Sequence, residues 1–416
     1  PAHGRGVLDR ARGAFPPRVR HRTYAMLEPP PTINDHVDLP PQRGPWPAEL
    51  DRVLSPSIFE AAQAEITQWP GYAPTPLYSL SALAASLDVG AVYYKDEGAR
   101  LGLGSFKALG GAYAVLRVAA DHLGVSIADV RSGHHAEALA DVTMVTATDG
   151  NHGRSVAWGA RMAGCRCRIY IHAGVSKGRQ AAMEELGADV VRIAGDYDEC
   201  VRRCAADAAE HGWIVVSDTS YDGYMDIPRH VMAGYSVMAS EDLDQLREAP
   251  PTHVFVQAGV GGLAAAVCAR LWQALGDRRP RMIVVEPERA ACLLATAKAG
   301  RPTAVSLEEE TVMAGLSCGE VSLLAWEALR RAGGHFVTIG EDGVGLAMRL
   351  LASGEAGGAP IVAGESAVPG LIALVGCASD AGLRAAMALG PDSRVLLLGC
   401  EGATDPDIYR AMVGER

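Results

Sequence analysis

The chain has 416 residues, 49% of them hydrophobic, which is enough to bury a large core and points to two or more domains. Its formal charge of −11 argues against a nucleic-acid partner, because such binders present a basic face. No run approaches the ~20 uninterrupted apolar residues that span a bilayer, so no membrane partner is expected. Nine scattered cysteines without a CxxC pair argue against a metal site and for a reducing, cytoplasmic setting.

Residues 1–34 read as a flexible, basic, Pro-rich extension, with Arg5, Arg10, Arg12, Arg18, Arg20 and Arg22 against a lone Asp9. The Pro-rich tract from Tyr24 to Pro47 is expected to wrap the surface. Ala91–Glu97 reads as a strand, and Ser105–Leu123 as a helix with Ser105 near its N-cap. Val142–Thr148 is an apolar, β-branched run, hence a strand, and the tract DGNHGRSVAWGARMAG after it is a Gly-rich turn opening a helix. Cys167–Ala173 is the next strand, Gly178–Ala188 a helix and Asp189–Gly195 a strand. A break falls near Asp222–Ile227. Thr252–Gly259 is then a strand, Gly261–Leu275 a helix, Arg281–Pro287 a strand and Ser393–Gly402 a final buried strand. Strands alternating with helices imply an α/β fold of mostly parallel sheets covered by helices. Two domains are expected: a large one from 35–125 and 223–416, and a small α/β one from 126–222.

Three segments carry chemistry. Lys107 sits near a helix start between apolar Phe106 and Ala108. Burial and the positive end of the helix dipole are both expected to depress its pKa, as a lysine that forms a Schiff base requires. In Thr146–Trp158, Gly150 and Gly153 let the backbone approach a ligand, and Asn151 offers both donor and acceptor. His152 by itself reads more readily as structural than as catalytic. In Gln257–Val267, a strand runs through Gly259, Val260, Gly261, Gly262 and Leu263 into a helix, a candidate phosphate cradle. The same letters fit the dinucleotide fingerprint G-x-G-x-x-A, and Glu286 follows at roughly the required distance. That segment alone leaves a nicotinamide-dependent enzyme open.

Taken together, and in this order, SFK, DGNHG and GVGGL resemble the fold type II (tryptophan-synthase-β-like) pyridoxal-phosphate enzymes. From about Tyr93 to Arg410 the chain is similar to the diaminopropionate ammonia-lyases. The likeness rests on KDEGARLGLGSFKALGGAYAV, TATDGNHGRSVAWGA, GYMDIPRHVMAGYSVM, VEPERAACLLA, TVMAGLSCGE and EGATDPDIYR. Two tracts depart from the pattern: GCEG at Gly399–Gly402, where the family has S-T-E-G, and GESAVPG at Gly364–Gly370, where it has GESGAVG.

The resemblance implies pyridoxal phosphate held by Lys107, with Phe106 near its ring and Asn151 on its phenolic oxygen. Backbone N–H groups of Gly259, Val260, Gly261, Gly262 and Leu263 would take the phosphate, and Cys400 would face the pyridine nitrogen. Lys107 and Asp149 are the implied catalytic groups, acting on opposite faces of the substrate. Ser105, Asp149, Gly150, His152 and Asp218 are the implied substrate contacts. Asp149 and Asp218 are assigned to the β-amine, although Asp218 reads equally well as a strand-end residue. The implied reaction is α,β-elimination of 2,3-diaminopropionate to pyruvate and ammonia. Dehydration of serine, threonine or 3-hydroxyaspartate is the alternative. A binder that kept the fold would not need Lys107. A homodimer is implied, and Cys292 with Cys318 could be a redox-sensitive pair or two buried thiols.

Overall fold

A computed structural model describes residues 27–414; the basic tract Arg5–Arg22 lies outside them. Short apolar, β-branched runs closed by Gly, Pro or polar residues become strands. They are β1 (Ile33–Leu39), β2 (Leu77–Ser79), β3 (Ala91–Asp96), β4 (Thr143–Ala147), β5 (Arg166–Ile171), β6 (Asp189–Arg192), β7 (Ile214–Val215), β8 (His253–Gln257), β9 (Arg281–Pro287), β10 (Gly334–Ile339) and β11 (Arg394–Gly399). Seven form one sheet in the order β1-β10-β9-β8-β11-β3-β2, and four form another, β6-β5-β4-β7. The smaller sheet is parallel throughout. The larger is parallel from β10 to β3, with an antiparallel strand at each edge.

β1 occupies the tract expected to wrap the surface. It pairs along β10 and sets Ile33, Val37 and Leu39 against the core. An edge strand buries only part of one face, so its polar residues mask the pattern.

The helices that frame the site are α1 (Lys107–Leu123), α2 (Asn151–Ala163), α3 (Tyr197–His211), α4 (Asp226–Gln245), α5 (Gly262–Leu275) and α6 (Pro369–Ser379). α2 packs on α1, α1 on α4, and α4 on α5. Small residues at the crossings bring the backbones together. A methyl on Gly234 would lie 2.4 Å from the Leu109 carbonyl, and one on Gly159 would lie 2.7 Å from the Ala112 Cα. α6 is apolar around most of its circumference and packs behind β8, β9 and β10. The departure at Pro369 falls at the first turn of this helix, where proline's missing N–H leaves no bond unmade. Among the described residues no single helix is long and apolar enough to cross a membrane.

α1 begins at Lys107, and no side chain caps it. Ser105, expected near the cap, is buried and bridges to Glu401 instead. The neighbouring Phe106 N–H donates to the Cys400 carbonyl at 2.9 Å. The start of α1 is thus stitched to the exit of β11.

Candidate active site

The carboxyl ends of strands from both sheets face one another, the usual place for a ligand in open parallel sheets. Asn151, after β4, donates its amide to Glu401, after β11. Asp218, beyond β7, pairs with the Lys107 amine. Around that amine, the Phe106 ring centroid lies at 5.5 Å and the Tyr235 centroid at 5.7 Å. The two rings pack 4.6 Å apart.

Burial works against charge on Lys107, but Asp218 and Tyr235 outweigh it and hold the amine above its ordinary value. The expectation of a depressed amine is overturned. An unlike charge at 4 Å contributes about 4 kcal/mol at an effective dielectric of 20, against roughly 0.3–1 kcal/mol for a helix terminus. The carboxylate decides, and the pattern around Lys107 does not reveal it because Asp218 arrives from another sheet. Burial would raise Asp218, but Lys107 and His152 hold it below the usual carboxylate range.

His152 is held below its usual value by burial, with Lys107 adding to the effect and Asp218 opposing it. Its Nε2 meets the Val216 carbonyl at 2.8 Å, and Nδ1 is buried without a partner among the described residues.

The turn before α2 is organised by side chains. Thr148 Oγ1 accepts the Gly150 N–H at 3.1 Å and the Gly153 N–H at 3.3 Å. Gly150 has φ 154°, and a methyl there would lie 3.3 Å from Arg179 Cδ. Asp149 Oδ1 lies 3.1 Å from His172 Nε2. Glu401, which receives Asn151, also accepts the Ser366 N–H at 3.0 Å and the Thr404 hydroxyl at 3.1 Å.

The turn before α5 is different. No side chain caps this helix, and its first turn holds no acid. Its leading N–H groups therefore point outward without an intrahelical acceptor. Gly261 adopts φ 94°, and a methyl on Gly259 would lie 2.8 Å from Cys318 Sγ. A methyl on Gly262 would stand 3.7 Å from the Asp218 carbonyl, so the cradle abuts the segment that pairs with Lys107. Val260 accepts the Ser322 N–H through its carbonyl at 2.9 Å, and Leu263 is buried.

Glu286 does not serve this turn. It is buried and accepts the N–H groups of Leu293 and Leu294 at 2.8 Å each. The acid that a dinucleotide site would need is occupied at another helix start, and the nicotinamide reading falls.

Cys400 donates its thiol to the Ser366 carbonyl at 3.1 Å, and burial pushes its pKa up to about 12. It is a neutral group rather than a thiolate. Cys292 and Cys318 are free thiols on either side of Gly259: Cys292 Sγ meets the Gly259 carbonyl at 3.6 Å.

Four further residues that the sequence reading does not single out join the site. They are Tyr235 on α4, Tyr197 at the start of α3, His172 after β5, and Glu401. The Tyr197 phenol is held well above its usual value by burial, with Asp149 and Asp218 contributing. For His172 a signal did exist. It stands at the carboxyl end of the strand beside β4, where a ligand-facing residue is expected.

These groups suit pyridoxal phosphate. An uncapped helix start lined with glycine can take a phosphate, an amine between two rings can take an aldehyde, and Asn151 and Cys400 can face ring substituents.

Comparison with known proteins points the same way. Residues 68–401 match the family model described as pyridoxal-phosphate dependent enzyme. A curated relative, the diaminopropionate ammonia-lyase of Escherichia coli K12, is 37% identical over 369 residues, covering 86% of this chain and 93% of the relative. The crystal structure of holo diaminopropionate ammonia lyase from Escherichia coli superposes with a TM-score of 0.85 at 35% identity, covering 92% of this chain and 97% of that one. The same enzyme in complex with D-serine gives 0.85 at 35% identity, covering 92% and 98%.

Proposed function

The chain belongs to the pyridoxal-phosphate dependent enzymes, with their fold type II architecture and their cofactor, and from that membership we propose its reaction: α,β-elimination of 2,3-diaminopropionate to pyruvate and ammonia. The observation that carries the proposal is the near full-length likeness to diaminopropionate ammonia-lyase. Bound pyridoxal phosphate supplies the electron sink for charge developing at Cα. Lys107 would hold it through the amine, Phe106 beside its ring, Asn151 and Cys400 by polar contact, and Gly259, Val260, Gly261, Gly262 and Leu263 through their N–H groups.

Lys107 and Asp149 move the Cα proton from opposite faces of the substrate, which opens a route for either enantiomer. Asp149 and Asp218 bind the β-ammonium. A hydroxy acid lacks that cation, so two carboxylates favour the diamino acid over serine or threonine. Asp218, paired here with Lys107, is freed for a substrate ammonium once that amine is otherwise engaged. Ammonia departs only when protonated, and a carboxylate at the β-amine keeps the proton there. Ser105 and Gly150 line the substrate side, and neutral His152 offers a hydrogen bond rather than a charge.

The four strands between Thr143 and Val215 support a small domain at 126–222 set against a large one at 35–125 and 223–416. Nine free thiols support a reducing, cytoplasmic setting, and the family likeness supports a homodimer.

The deciding experiment is pyruvate release by purified holoenzyme from both enantiomers of 2,3-diaminopropionate, beside serine and threonine. The diamino acid should be the better substrate by kcat/KM. Faster turnover of a hydroxy acid would overturn the assignment.

A further inference from the structure

Asp149 meets the protein through an imidazole. β4 and β5 are parallel neighbours, with Ala147 opposite Tyr170, so the residues just past their ends lie side by side. His172 Nε2 is 3.1 Å from Asp149 Oδ1. On the far side of the ring, Nδ1 receives the Gly174 N–H at 3.2 Å and stands 3.5 Å from Glu310 Oε1. Glu310 comes from the segment between β9 and β10 of the other sheet. Among the described residues Arg192 also faces His172, its guanidinium donating to the His172 carbonyl at 3.2 Å and opposing charge on the ring.

Two states of the ring follow. Where the Gly174 N–H is the partner of Nδ1, that nitrogen accepts and the single ring proton sits on Nε2. Where Glu310 is the partner, Nδ1 carries a proton as well and the ring is cationic. In both states Nε2 carries a proton and lies 3.1 Å from Asp149 Oδ1, and that buried oxygen has no aligned hydrogen-bond donor among the described residues, so the contact is one of charge and proximity. Contact with Asp149, opposed by burial and aided by Glu310, holds the ring above its ordinary value.

We propose that His172 is a positioning residue for Asp149, and that Glu310 sets the charge of that imidazole across the two sheets. This rests on the reading of Asp149 as the proton-moving group on one substrate face. The Cα proton ends on the Asp149 carboxylate, and the ring keeps its own. A cationic ring would meet the Asp149 carboxylate with an opposite charge, and a neutral ring would meet it with a polar contact alone.

The test is kcat/KM for each enantiomer of 2,3-diaminopropionate across pH, using holoenzyme. His172→Ala should lower turnover of the enantiomer that depends on Asp149 by about 100-fold, the usual scale for a misplaced reacting group, and leave the other within a few-fold. His172→Gln can still point an N–H at Asp149 and should restore most of the loss. Glu310→Gln removes an anion from the ring and should shift the imidazole's inflection to lower pH. In an Asp149→Asn background, His172→Ala should add nothing. Equal losses for both enantiomers, or a full His172→Ala effect on top of Asp149→Asn, would show a merely structural role and overturn the proposal. If Asp149→Asn leaves both enantiomers untouched, the acid–base reading itself fails and the proposal falls with it. If only Asp149→Asn has an effect, the positioning role alone falls.

Discussion

The turn after β4 and the turn after β8 are built alike: an apolar strand, a few glycines and the first residues of a helix. In the first, Thr148 Oγ1 takes two backbone N–H groups, and the loop holds Asp149 and Asn151 in place. In the second, no side chain among the described residues caps α5, and no acid stands in its first turn. A helix start anchored by a side-chain acceptor from its own turn can display reactive side chains. One whose amides are left open is a site for an anion. The same local pattern thus yields a reactive loop and a cradle, and the difference lies in who accepts the hydrogen bonds.

The largest expected effect comes from the amine that both turns surround. Lys107→Ala should cost at least about 10^4-fold in kcat, in line with losses of other nucleophiles. Borohydride reduction of wild-type holoenzyme should label the peptide containing residue 107, and label on any other lysine would contradict the assignment. Next is the reactive turn. Asp149→Asn should lower turnover of one enantiomer of 2,3-diaminopropionate by about 10^2- to 10^4-fold, the range for a lost general base. The other enantiomer should suffer much less. Equal losses would make Asp149 a binding group only.

The cradle can be broken by giving it the acid it lacks. A side chain at Gly262 has room, since its first carbon meets nothing closer than 3.7 Å. Gly262→Asp should place a carboxylate beside the open amides of α5. Repulsion of a phosphate at ~5 Å is about 3 kcal/mol at an effective dielectric of 20, so cofactor affinity should fall about 100-fold. The cofactor-free protein should be no less stable, because an acid at a helix start adds roughly 0.3–1 kcal/mol. Titrating apoprotein with pyridoxal phosphate reads the first effect, and thermal unfolding the second. Unchanged affinity would show that the phosphate sits elsewhere.

The reactive turn and the cradle were legible in the sequence because each is a local pattern: a β-branched strand, glycines at fixed offsets, then a helix. The same holds for β3, β4, β5, β8, β9 and β11, whose apolar runs stand out. β1 and β10 were not anticipated. β1 interleaves Asn34, Asp35, His36 and Asp38 with its apolar residues, as an edge strand does, and β10 dilutes its apolar run with Gly334, His335 and Thr338. α4 was hidden by Pro228 near its start and by Gly234, which α1 requires at the crossing. Lys107, Asn151 and Asp149 could be picked out by motif. Tyr197 and His172 could not, because neither lies in a family-like tract and each acquires its role only by contact; Tyr235 and Glu401 lie within such tracts, but nothing in the letters sets them apart from their neighbours. The raised pKa of Lys107 is invisible in its local sequence for the same reason. Its immediate sequence neighbours are apolar, and the charge that governs it lies 111 residues away.

The smallest effect tests the distinction itself. Thr148→Val keeps the shape of the side chain and removes the oxygen that receives the Gly150 and Gly153 N–H groups. Both amides are then left in a buried turn without an acceptor. A lost cap costs roughly 0.5–2 kcal/mol, and an unsatisfied buried donor about 1–3 kcal/mol. In a chain of this size that should lower Tm by roughly 2–4 °C. Cofactor affinity should not change, since the open amides that would hold the phosphate belong to α5. Loss of affinity without loss of stability would mean that the Thr148 turn also contacts the cofactor, and that the two helix starts divide the work differently from the way their hydrogen bonds indicate.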